Sequence, residues 1–92
     1  MQGVALGFIE TRGNTASVNA IDAMLKTANV EFVQRVEIGG AYVTALVRGE
    51  VAAVRSAVEA GAEAAAKTGE LVCTNVIPQA HEEVFELIGI VK

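Results

Sequence analysis

The chain has 92 residues and a formal net charge of −4 at pH 7, and 52% of its residues are hydrophobic although only 4% are aromatic. A chain of this size makes one domain that buries only about 60–65% of the surface its unfolded form exposes, so its stability alone is thin and association would add to it. The acidic balance, with seven scattered Lys and Arg, excludes the basic footprint of a nucleic-acid or membrane-surface binder, and no apolar run approaches the ~18 residues of a spanning helix.

The first predicted element is a short apolar strand over Val4 to Glu10, suited to burial on both faces. From Asn14 the spacing becomes helical, with Ala16, Ala20, Ile21, Met24, Leu25 and Ala28 on one side, and Asn14 or Thr15 is placed to cap the helix start. Val30, Phe32, Val36 and Ile38 then alternate with Glu31, Arg35 and Glu37, the two-residue period of a half-exposed strand. Gly39 and Gly40 make a hairpin tip, and the next strand, Tyr42 to Arg48, puts Val43, Ala45 and Val47 on one face. Glycine at the tip leaves bare backbone, either because the turn requires it or because something approaches closely there.

A second helix spans Glu50 to Thr68 with Val51, Val54, Val58, Ala62 and Ala65 in a stripe, and Gly69 stands in the usual C′ position. Leu71 to Ile77 is a fourth strand, closed by Pro78, and Ala80 to Ile88 reads as a short C-terminal helix. Arg12–Gly13 and Arg48–Gly49 each lead a helix, so the chain reads as two strand–helix–strand halves. The predicted fold is α+β, a ferredoxin-like βαββαβ domain whose antiparallel sheet carries two helices on one face and leaves the other face uncovered.

The 16 alanines and 14 valines pack backbones closely but fill little volume, which points to surface hidden in subunit contacts. A phosphate cradle needs a helix directly after the glycines, and here a strand follows. One His and one Cys exclude the common zinc patterns, so no metal or cofactor is expected. The single cysteine forms no internal disulfide, and the N-terminus has no secretory pattern, in keeping with a cytoplasmic setting. Cys73 reads as a small core residue; it becomes a nucleophile with His81 as base only if the two are adjacent and exposed. Glu82, Glu83 and Glu86 read as an ordinary acidic helix start, so no catalytic residue is expected.

The segments "ALGFIETRG", "AIDAMLKTANV", "IGGAYVTALVRGEVAAV", "AGAEAAAKTGE" and "VIPQAH", in this order, resemble the single-domain hexameric shell proteins of bacterial microcompartments, over nearly the whole chain. The resemblance implies one shell domain over residues 1–92 and no enzymatic activity. It implies flat hexamers that tile edge to edge into the shell, with a central pore for small polar metabolites lined by Gly39, Gly40 and Ala41. Implied partners are other copies of the hexamer, pseudohexamers, pentameric vertex proteins and the encapsulated enzymes or their targeting peptides, without nucleic acid or membrane.

Glu37 stands beside the tip where relatives often carry lysine. Six copies would form a negative ring that disfavours anions by about 1 kcal/mol after salt screening, unless each Glu37 pairs with an arginine or points to solvent. Lys26, Asn29, Gln79 and His81 match positions at the hexamer edge. Gln79 replaces a frequent arginine and Ala80 a frequent proline, and Gln79 lacks arginine's charge and five-donor fork. The competing reading is a small ferredoxin-like oligomer that binds a metabolite between subunits and acts as a regulator.

Overall fold

Strand alternation and helical spacing resolve, in a computed structural model that describes residues 4–79, into β1 (Ala5–Arg12), α1 (Asn14–Thr27), β2 (Glu31–Gly39), β3 (Tyr42–Gly49), α2 (Val51–Thr68) and β4 (Glu70–Ile77). The order βαββαβ is the expected one, and the helix expected from Ala80 onward lies outside the described residues. The sheet runs β2-β3-β1-β4, and every neighbouring pair is antiparallel.

One sheet face carries both helices. Ala5 and Ile9 of β1, Ala45 and Val47 of β3, Ala16, Ala20 and Met24 of α1, and Val54, Ala57, Val58 and Ala65 of α2 form a continuous buried core. The alanines let backbones approach, and at Gly61 the approach leaves no room at all. A Cβ there would lie 2.5 Å from Ile9 Cδ1, 2.7 Å from Met24 Cγ and 3.2 Å from the Ala20 carbonyl oxygen. Dispersion contacts summed over such close surfaces replace what large aromatics contribute in other small domains.

The opposite face carries no helix among the described residues, yet it has a small apolar cluster of its own. Leu6 and Leu46 on that side are only 1% and 5% exposed, and Val4, Phe8, Val33 and Ile77 pack around them. Val33 reaches this cluster through a register shift: Phe32 pairs with Val47 but Gln34 pairs with Leu46, so Val33 is an extra residue in β2. The bulge turns Phe32 toward the helices and Val36 away from them, breaking the simple alternation read from sequence.

The helix ends also differ from expectation. Neither Asn14 nor Thr15 caps α1; Gly13 holds the N-cap position at φ 107° and no side chain accepts a bond there. Gly69 closes α2 in an extended conformation, φ −176°, and is glycine because a Cβ would meet the Ala16 Cβ at 2.7 Å. At the start of α2 the Glu50 carboxylate accepts the Ala53 N–H at 3.3 Å.

Candidate functional site

Strand register divides the candidate residues between the two ends of the sheet. Arg12 pairs with Tyr42 and with Glu70, and Gly39 with Tyr42, so the β2–β3 hairpin and the start of α1 share one end. Ala5 pairs with Gly49, Leu6 with Ile77 and Glu31 with Arg48, so Asn29, two residues before β2, and the residues after β4, Pro78 and Gln79, share the other. Eight-residue strands at about 3.3 Å per residue hold the two ends roughly 26 Å apart.

At the first end, Gly40 and Ala41 form a two-residue turn with φ 62° and 69°, preceded by Gly39 at 107°. Positive φ at both central positions is the type I′ geometry that matches strand twist. A Cβ on Gly39 would meet nothing within 4 Å, and on Gly40 only the Tyr42 ring at 3.4 Å. The glycines therefore answer to the turn; no close approach within the chain requires them. Ala41 tolerates the left-handed region because its carbonyl is tied down, accepting the Gly13 N–H at 2.7 Å. All three tip residues are exposed.

Beneath the tip, Asn14, Glu37, Gly39, Ala41, Tyr42 and Val43 line a cavity of about 150 Å³. Glu37 does not stand alone there. Arg35 and Glu37 lie on one face of β2, opposite Ala45 and Val43, and Arg35 Nη2 is 3.1 Å from Glu37 Oε2. Of the alternatives the sequence left open for Glu37, the structure takes the pairing with an arginine, and that arginine is Arg35, two residues away on the same strand face. A group missed by sequence reasoning flanks the tip: Arg12 pairs with Glu70 at 3.7 Å and lies 6.0 Å from the centroid of the Tyr42 ring.

At the other end, Lys26 in the last turn of α1 reaches Asp22 at 3.0 Å, with side chains 75% and 58% exposed. Asn29 is exposed and lines an open groove of about 670 Å³ with Val4, Val30, Glu31, Arg48, Gly49 and Glu50, where Arg48 and Glu31 form an ion pair. Gln79 is exposed beyond the end of β4, and His81 lies outside the described residues.

Cys73 is exposed, not the core residue that the sequence suggested. It sits opposite Glu10, and its Sγ donates to Glu10 Oε1 at 3.4 Å. Desolvation first, and then the hydrogen bond and negative charge of Glu10, push the thiol pKa up from its ordinary value. That favours the protonated form, the opposite of what a nucleophile requires. Among the described residues no group of three or more His, Cys, Asp or Glu is placed to hold a metal ion, and no helix is long and apolar enough to cross a membrane.

The alternating sheet, its paired helices and the hairpin correspond to a known domain: residues 5–80 match the BMC domain, and the chain belongs to that family of bacterial microcompartment shell proteins. Bacterial microcompartment shell protein EutM of Salmonella typhimurium is 54% identical over 86 residues, covering 90% of each chain. "Probable carboxysome shell protein CsoS1E" of Prochlorococcus marinus is 49% identical over 85 residues, which span 91% of this chain and 42% of that longer relative. A solved microcompartment protein from Desulfitobacterium hafniense superposes with a TM-score of 0.80 at 30% identity, over 88% of this chain and 44% of the other.

Proposed function

We propose that the protein is a non-enzymatic structural subunit of a bacterial microcompartment shell, located with that shell in the cytoplasm. Six copies close into a flat ring around the hairpin tips, and the rings tile through the opposite end of the sheet into a layer shared with other shell proteins around encapsulated enzymes. Shell function in the relatives carries this reading. The separation of the exposed tip at Gly39, Gly40 and Ala41 from Lys26, Asn29 and Gln79 suits it, because a ring subunit needs one end at the axis and the other at the rim.

At the axis, two glycines and an alanine present backbone N–H and C=O groups and almost no side chain. Such a rim exchanges hydrogen bonds with polar solutes as water does, so it passes small polar metabolites by size without binding them tightly. The deciding experiment is light scattering with electron microscopy of the purified protein across a concentration series. Hexamers that form sheets or tubes when concentrated are expected; a trimer or a small ring with a saturable ligand site would replace this reading with that of a metabolite-binding regulator.

A further inference from the structure

The charge at the tip is set by a pair of residues. Glu37 is 67% exposed, whereas Arg35 is 28% exposed, its Nε is fully buried, and its Nη2 lies 3.1 Å from the Glu37 carboxylate. An ion pair between two free surface side chains is readily lost to solvent. This one differs because the arginine stem is held against the protein, so the guanidinium waits beside the carboxylate with less freedom to lose. Among the described residues, Glu37 is the acidic side chain in the cavity under the tip, where it lies with Asn14 and Tyr42.

We propose that Arg35 is the residue that sets pore selectivity, by neutralising Glu37 so that the opening discriminates by size and polarity and not by the sign of a solute's charge. The inference rests on the hexameric pore described above. Six unpaired carboxylates would give a cation-selective ring; six compensated ones give short dipoles whose field decays over a few ångströms.

The test is ion selectivity, read as the reversal potential across planar bilayers holding purified hexamers in a potassium chloride gradient, with hexamer formation checked by light scattering. The wild type is expected to show a cation-to-anion permeability ratio near one. Arg35→Gln should raise that ratio by about fivefold or more, the effect of six charges some 8 Å from the ion after physiological screening. Glu37→Gln should lower it, Arg35→Lys should restore the wild-type value, and Arg35→Gln with Glu37→Gln should return it to near one. If Arg35→Gln fails to form hexamers, Glu37→Gln carries the decision, since an anion-selective pore is expected only if Arg35 was balancing it. Conduction with an unchanged ratio in the single variants overturns the role of Arg35 alone. Hexamers that conduct nothing overturn the pore itself, and this inference with it.

Discussion

At the residue scale, Ala41 and Cys73 make the sharpest demands. Ala41 is a non-glycine residue at φ 69°, a region a β-branched side chain resists strongly. Ala41→Val should therefore lower the stability of the isolated subunit by about 1–2 kcal/mol in urea unfolding, while Ala41→Gly should stay within about 0.5 kcal/mol, since relief of strain and added chain entropy oppose each other. If both variants match the wild type, the turn geometry is not what the fold depends on. Cys73 is the only cysteine, so its alkylation rate reports one site. Its raised pKa leaves less thiolate at pH 8 than an unperturbed exposed thiol, and Glu10→Gln removes the charge that contributes to the shift. Iodoacetamide should label Cys73 slowly in the wild type and faster in Glu10→Gln; equal rates would remove Glu10 as a cause. The stability linkage has the matching sign: a pKa raised on folding contributes stability below the unfolded thiol pKa, which is lost as pH rises through the folded one.

At the scale of elements, the most demanding contact is α2 against α1 and β1 at Gly61. Helix propensity alone favours Gly61→Ala by about 1 kcal/mol. The added methyl would have to displace Ile9, Met24 and the Ala20 carbonyl, and a backbone oxygen 3.2 Å away does not give as a side-chain end does. Overpacking typically costs about 1–3 kcal/mol and should win, so Gly61→Ala is expected to be destabilising by about 1 kcal/mol in urea unfolding. A stabilised variant would mean that the helices move apart freely. The elements themselves were legible in the sequence because long runs such as Val51 to Thr68 repeat one period without interruption. What was not legible follows from contacts between elements. The bulge at Val33 changes which face Phe32 and Val36 occupy, yet Phe32, Gln34 and Val36 still alternate in the sequence. The need for glycine at position 69 comes from Ala16, more than fifty residues away, while its place after a helix invites a purely local explanation.

At the scale of the whole molecule, the sequence singled out the tip and the proposed rim residues through the family's motifs, but only the register of three strand pairs places the hairpin tip and Asn29 with Gln79 toward opposite ends of one sheet. Spacing put Arg35 on the face of Glu37 and left pairing and solvent exposure both open, and the 3.1 Å contact decides between them. The same geometry makes a prediction about tiling that is independent of subunit stability. Lys26 is 75% exposed and bonds Asp22 one helical turn away, an exposed pair worth on the order of a few tenths of a kcal/mol and so easily given up. Its ammonium, on a long apolar stem at the end of the subunit opposite the hairpin, is free to cross a boundary and donate to carbonyl oxygens of a neighbouring ring. Lys26→Ala and Lys26→Asp should therefore unfold within about 0.5 kcal/mol of the wild type, still form hexamers by light scattering, and no longer form sheets by electron microscopy. Aspartate should act the more strongly, since two copies brought together across an edge repel each other where alanine only removes the donor. Sheets that persist in both variants would place the tiling contact elsewhere on that end, at Asn29 or Gln79, and would leave the ring untouched, because nothing at the tip depends on Lys26.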